Sequence, residues 1–537
     1  MARRDHDTGA SGAGATGTSG SRPDGGRTNP GTGTGGTGAD GGTGTDGQGG
    51  TKLRKAITGP LLFLFILGNV LGAGIYALMG TLSAEVGGAL WAPLLLALFL
   101  ALLTAGSYAE LVTKYPKAGG AAVFAERAYR QPLVSFLVGF SMLAAGVVSA
   151  AGLSLAFAGD YLAVFLYVPQ VPAAIVFLLL VGLLNARGIK ESLGSNVVMT
   201  VVEVGGLVLV VVVVGVMLGR GDGDVTRVTE FPAETSAVTA TLAAAIIAYY
   251  SFVGFETSAN VAEEVRDPSR VYPRALFGSL AAAGVVYVLV ALASSAAVPA
   301  DELGESSGPL LDVVAATGVG VPDWLFGVIA LVAVANGALL TMIMASRVTY
   351  GMAEQGLLPS PLARVLPRRR TPWVAIAVTT LVAMLLTLVG DLATLASTVV
   401  LLLLFVFIST NVAVLVLRRD RVEHDHFRVW TVVPVLGVAS CVLLLTQQEA
   451  RVWLFGLVLL AVGAALFAVT RLAARRPGAS RSSRGAGGAA DASGAAGGAG
   501  APDATGATGA GGAYGTDAGA GATPPEGDGA VEDPRSR

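Results

Sequence analysis

The chain has 537 residues, 53% of them hydrophobic and 13% charged, and its formal net charge is −2. That balance points to a membrane protein, and the lack of a basic field argues against nucleic acid as a partner. Cys441 is the single cysteine, so an internal disulfide framework is excluded and the residue reads as apolar packing.

Residues 1–51 are dominated by Gly, Thr, Asp and Ala, with too few large apolar side chains to bury a core, and read as a disordered tail. The Arg3-Arg4 pair is not a convincing export signal, because about fifty polar residues separate it from the first apolar segment. Residues 52–476 read as one transmembrane domain. Apolar segments fall at about 56–84, 89–112, 133–165, 172–189, 195–219, 237–260, 275–298, 323–350, 372–390, 392–417, 431–447 and 452–472. Each is long enough, or nearly so, to span ~30 Å of hydrocarbon at ~1.5 Å per residue, so about twelve membrane helices are expected. Residues 477–537, rich in Gly, Ala, Ser and Asp, read as a second disordered tail.

The first segment is interrupted by Gly68-Asn69-Val70-Leu71-Gly72-Ala73-Gly74-Ile75-Tyr76. In hydrocarbon every backbone group must find a partner within the protein, so such a break is tolerated where it lines a cavity. The sixth segment carries a second interruption, with Gly254 and the ionisable Glu256 inside the span. Two broken helices in corresponding positions suggest two five-helix repeats, at about 56–219 and 237–417, with two further helices at about 431–472. Because five is odd, the repeats would lie inverted in the membrane. The fold expected is therefore an all-α polytopic membrane protein with a leucine-transporter-type 5+5 inverted repeat and broken helices 1 and 6.

Charge asymmetry sets an expected orientation. With the amino terminus in the cytoplasm, twenty-four Lys and Arg residues fall on inner loops and flanks and three, Arg220, Arg227 and Arg451, on outer loops. That bias obeys the positive-inside rule and places both tails in the cytoplasm of a cell with this protein in its plasma or inner membrane.

Among acids within spans, Glu203 stands without a nearby charge in its own segment. An ionised carboxylate there is costly, so Glu203 should be protonated, paired or facing a wet cavity, and it is a candidate for proton coupling. Glu256, just after the second break, is placed to accept a hydrogen bond from its backbone or to relay protons. Glu110, Glu263 and Glu264 are expected to form inner-gate ion pairs with Arg266, Arg270 and Arg274. The histidines, His6, His424 and His426, lie outside the spans. For Gly80, Gly205 and Gly206 close helix packing is the expected role.

The stretches GNVLGAGIY at 68–76, FVGFETSANVAEEVRDPSRVYPRAL at 252–276 and SRVTYGMAEQGLLP at 346–359 resemble those of the amino acid, polyamine and organocation (APC) superfamily of permeases. YAELVTKYPKAGG at 108–120 and LNARGIKES at 184–192 add to the resemblance, which punctuates roughly residues 52–475 in the family's order. It implies that the backbone amides of Gly72, Ala73 and Gly74 receive an amino acid's carboxylate, as the positive end of a half helix favours. It also implies that carbonyls freed by both breaks, those of Val70 at the first and of Tyr250 and Val253 beside Gly254 at the second, receive the α-ammonium group, and that Tyr250 is an aromatic gate. Ala73 departs from the serine common in relatives, which removes a hydroxyl and keeps the amide. Some proton-coupled relatives carry lysine where Glu203 stands, so the charge is reversed here.

No HExxH, phosphate-binding loop or Ser/His/Asp set is present, so neither an enzyme nor direct ATP drive is expected, nor a catalytic residue, cofactor or metal. The expected function is secondary active amino acid transport by alternating access, as proton-coupled uptake or exchange, with an amino acid, the coupling ion and the lipid bilayer as partners. A transporter of polyamines or other organic cations is the nearer alternative if Glu203 and Glu256 face the cavity, and a non-transporting sensor the more distant one. The outer loop at 166–171 has no cysteine, so no disulfide-linked partner subunit is expected.

Overall fold

Long apolar runs with few helix breakers form helices here nearly everywhere the sequence suggests them. The computed structural model describes residues 57–116, 120–187, 193–366 and 371–475. Both expected tails lie outside the described residues, as do residues 117–119 of the 108–120 stretch and 188–192 of the 184–192 stretch. In chain order the helices are α1 (Gly59–Leu71), α2 (Ala73–Val86), α3 (Trp91–Lys114), α4 (Gly120–Tyr129), α5 (Pro132–Phe157), α6 (Asp160–Ala163), α7 (Gln170–Ala186), α8 (Leu193–Arg220) and α9 (Ala237–Tyr250). They continue as α10 (Pro268–Ala297), α11 (Ala300–Glu305), α12 (Pro309–Ala316), α13 (Asp323–Glu354), α14 (Trp373–Thr387), α15 (Leu392–Leu417), α16 (Val432–Thr446) and α17 (Ala450–Arg475). Tighter 3-10 helices occupy Val225–Thr229, Phe255–Glu264 and Ser360–Ala363.

Among the described residues, nine helical stretches are long and apolar enough to cross a membrane, taking α1 with α2 and α9 with the 3-10 helix after it. The remaining three expected segments are α7, α14 and α16, with 17, 15 and 15 residues. The architecture is that of an all-α polytopic membrane protein. Local chemistry sets several boundaries. Pro268 stands at the first turn of α10, where a missing N–H costs nothing, and this helix begins seven residues before the expected 275. The side chain of Asp391 caps α15 by accepting the Thr394 amide at 2.8 Å.

Helix α5 packs against α13 and α15, α10 against α1 and α3, and α2 against α9, α11 and α13. Small residues permit the closest of these approaches. A Cβ on Gly80 would lie 2.6 Å from the Leu303 carbonyl oxygen, and one on Gly206 would overlap Tyr76 and Ile329. Gly205 differs from expectation: open space surrounds it, because its side of α8 meets no neighbour.

Candidate functional site

The first break is made by a single residue. Gly72, at φ −25° and ψ −159°, leaves the helical region, and its N–H still bonds the Gly68 carbonyl at 3.1 Å, so α1 closes there and α2 starts afresh at Ala73. A helix end leaves its last carbonyls and the next helix's first amides without helical partners. Those groups here are the carbonyls of Asn69, Val70 and Leu71 and the amides of Ala73, Gly74 and Ile75.

The second break takes several residues. After Tyr250 the chain tightens into turns, with amides of Ser251, Phe252 and Val253 each bonding the carbonyl three residues back, and then reaches Gly254 at φ +123°. That backbone conformation is open to glycine and strained for other residues. The Gly254 amide is held by the Glu256 carboxylate at 2.9 Å, and Thr257 donates its hydroxyl to the Gly254 carbonyl at 2.6 Å. Glu256 thus accepts from the backbone of its own break.

The two breaks touch. A Cβ on Gly254 would lie 2.5 Å from the Asn69 carbonyl oxygen, and one on Gly74 would lie 3.0 Å from the Ser251 Cα. Glycine at these positions therefore lets two backbones approach, whereas Gly72 has only ordinary contacts at 3.5 Å with its own α1 carbonyls. From α10, the Tyr287 hydroxyl lies 2.6 Å from the Val70 carbonyl and 3.0 Å from that of Ser251, and donates to one at a time. Val70 consequently keeps one lone pair for a ligand when Tyr287 bonds it.

Beside the breaks lies a cavity of about 1070 Å³. Val70, Gly72, Gly74, Tyr250, Val253 and Gly254 all line it, and so does Glu256. Ala73 contributes the amide that opens α2. Tyr250 is buried, and its hydroxyl shares a hydrogen bond of 2.8 Å with Ser149 on α5. At its exposed end the cavity is bordered by Arg130, Arg347 and Arg471, with Glu126 beside them.

Glu203 lies elsewhere. It is fully buried on α8 and does not line the cavity. One of its carboxyl oxygens accepts from the Asn336 amide of α13 at 2.9 Å, and the other has no partner among the described residues. Its backbone carbonyl accepts from the Tyr76 hydroxyl at 2.8 Å, which ties Glu203 to the half helix just after the first break.

Of the expected inner-gate acids, Glu110 pairs with a different arginine. Glu110 binds Arg418, at 2.9 and 2.7 Å in a two-pronged contact, and also accepts the Val429 amide at 3.0 Å. The reason is position: Glu110 sits near the end of α3 that packs on α15 and α16, and Arg418 directly follows α15. Arg270 instead lies 4.0 Å from Asp267, one turn away in an exposed contact. Among the described residues no three His, Cys, Asp or Glu side chains gather as a metal ion would need.

Tyr287, Ser149 and Asn336 escaped the sequence reading. Each lies in an apolar span with nothing local to mark it, and its role exists only through contacts with distant segments.

Residues 59–471 match the family model described as amino acid permease. The chain belongs to this family. An uncharacterized transporter of Mycobacterium tuberculosis is 30% identical over 418 residues, covering 76% of this chain and 90% of the relative. A methylthioribose transporter of Bacillus subtilis is 26% identical, with 76% and 91% covered, and a branched-chain amino acid permease of the same organism is 25% identical, with 77% and 93% covered. With this membership the chain is a multi-pass membrane transport protein of the APC superfamily.

Proposed function

We propose that this permease carries an amino acid by secondary active transport, alternating access around the two breaks, and that protons or substrate exchange drive it. The observation that carries the reading is the convergence of both broken helices on one cavity. Amides of Ala73 and Gly74, at the positive end of α2, would take the carboxylate, which a helix N-terminus favours, whereas the Gly72 amide, expected to share in this, is already held by the Gly68 carbonyl at 3.1 Å. Remaining lone pairs on the carbonyls of Val70, Tyr250 and Val253 would take the ammonium group, which has three donors and no acceptor. The zwitterion then bridges both breaks and stabilises an occluded state, with Tyr250 as the gate. Rocking of one helix bundle against the other would release it.

The Lys and Arg bias supports a cell-membrane protein with both termini in the cytoplasm, and in that orientation the arginine-bordered end of the cavity would open to the cytoplasm. For coupling, Glu203 is the candidate proton carrier. A proton would neutralise a buried carboxyl whose one hydrogen-bond partner among the described residues is Asn336, and Tyr76 links that site to the half helix after the first break. The organic-cation alternative is less favoured, because it is supported by Glu203 and Glu256 together facing the cavity and of the two only Glu256 lines it.

Purified protein in liposomes, given radiolabelled amino acids and an imposed inward proton gradient, tests the reading. Saturable uptake accelerated by the gradient, or by amino acid loaded on the far side, is the expected result. Failure of every amino acid to enter by either drive would refute it.

A further inference from the structure

We infer that the site selects amino acids with uncharged, apolar side chains of about leucine or methionine size over cationic and acidic ones. This rests on the permease reading above and extends it to the substrate's side chain. With the substrate backbone held at the breaks, its side chain must point at whatever faces them across the cavity. The anchor for direction is the Ser149–Tyr250 hydrogen bond, which fixes α5 beside the second break. One turn before Ser149 on the same face of α5 is Gly146, also lining the cavity. A Cβ there would lie 3.3 Å from the Met344 Cε, so α5 and α13 close together at that level.

The wall so formed is mainly apolar on three helices: Met142 on α5, Leu340, Ile343 and Met344 beside Thr341 on α13, and Val399 with Leu403 on α15. Val399 and Leu403 are one turn apart, and both are buried, so α15 presents one aliphatic face. Methionine is unbranched and adaptable, which suits a pocket for flexible aliphatic or thioether chains.

Charge among the described lining residues is confined to two places. Glu126, Arg130, Arg347 and Arg471 sit at the exposed end, and Glu256 sits at the break with its carboxylate already holding the Gly254 amide. A guanidinium or ammonium on the substrate side chain would therefore be desolvated against thioether and aliphatic groups without a counter-charge. A side-chain carboxylate would find no cation on that wall, and the Thr341 hydroxyl there already donates to carbonyls of its own helix.

Competition for radiolabelled leucine counterflow in liposomes of purified protein measures this. Methionine, isoleucine, arginine, ornithine and glutamate are the competitors. Arginine, ornithine and glutamate are each expected to compete at least about tenfold more weakly than methionine, where tenfold corresponds to about 1.4 kcal/mol. Any of the three competing within that margin overturns the inference while leaving the permease reading intact. If no amino acid is transported, the permease reading itself has failed, a distinct result. Met344→Glu places a carboxylate on the wall and should narrow the leucine–arginine gap by about tenfold, with Met344→Gln as the neutral control of similar size. An unchanged gap in a Met344→Glu protein that inserts and folds would overturn the placement of the wall. Should that variant fail to fold, the ranking of competitors on the unmodified protein decides alone.

Discussion

Gly254→Ala is the substitution in which the geometry leaves least room for accommodation. At φ +123° a residue with a Cβ sits in sparsely populated backbone space, at a cost of roughly 1–3 kcal/mol. The new methyl would also lie 2.5 Å from the Asn69 carbonyl oxygen and 3.0 Å from its carbon, where ordinary contact begins at 3.4 Å. Both obstructing atoms are backbone, so no side chain can rotate aside. Either the end of α1 or the turn at Gly254 must move by most of an ångström, which drags the Asn69 and Val70 carbonyls and strains the amide held by Glu256. If that strain falls mainly on the substrate-occupied state, where the breaks converge, it weakens binding by roughly 5- to 150-fold at about 1.4 kcal/mol per decade. Initial rates of leucine counterflow, normalised to the protein recovered in the liposomes, give the readout. Gly205→Ala is the matched control: nothing lies within 4 Å of its added methyl, and alanine is the better helix former, so transport should match the unmodified protein. Counterflow by Gly254→Ala within about twofold of the unmodified protein, at normal yield, would refute the claim that the breaks must touch.

Three further outcomes are expected. Tyr287→Phe removes the hydroxyl shared by the Val70 and Ser251 carbonyls; a net loss of about 0.5–1.5 kcal/mol should raise the leucine KM roughly 2- to 10-fold, and an unchanged KM in counterflow would contradict this. In Glu203→Gln an acidic exterior should no longer accelerate uptake while exchange of internal for external leucine persists, and a pH response like that of the unmodified protein would remove Glu203 as the coupling group. Arg418→Met strips the partner from Glu110, whose side chain is only 2% exposed, and should cost about 3–5 kcal/mol of stability. Thermal melting in detergent should show a clearly lower midpoint with the order of competitors unchanged, and the Glu110→Gln/Arg418→Met double variant should recover part of it.

The break at Gly68–Tyr76 was legible because glycine and asparagine interrupt an otherwise continuous apolar run, and its partner at Gly254 for the same reason. The Glu256 hydrogen bond to Gly254 was also legible, since donor and acceptor are two residues apart. Longer connections were not. Glu110 and Arg418 are separated by 308 residues, and the sequence offered the nearer arginines at 266–274 as partners without any sign that α3 packs on α15. Asn336 lies 133 residues from Glu203, in a span whose periodicity is the same whichever face meets α8. Helices α4, α11 and α12 were passed over because they are short, at 10, 6 and 8 residues, and lie in connections between spans where length and hydropathy give little signal. Glycine identity alone likewise does not separate a packed position from an open one, as Gly206 and Gly205 show side by side.

The central claim is that the paired breaks recognise the amino and carboxylate groups of an amino acid. Competition against leucine counterflow by leucine amide and by N-acetyl-leucine tests it most directly, since each keeps the side chain and blocks one of the two groups. The account predicts that both analogues compete at least about a hundredfold more weakly than leucine itself, as loss of either charged contact at a desolvated site demands. Inhibition by either analogue as strong as that by leucine would contradict it.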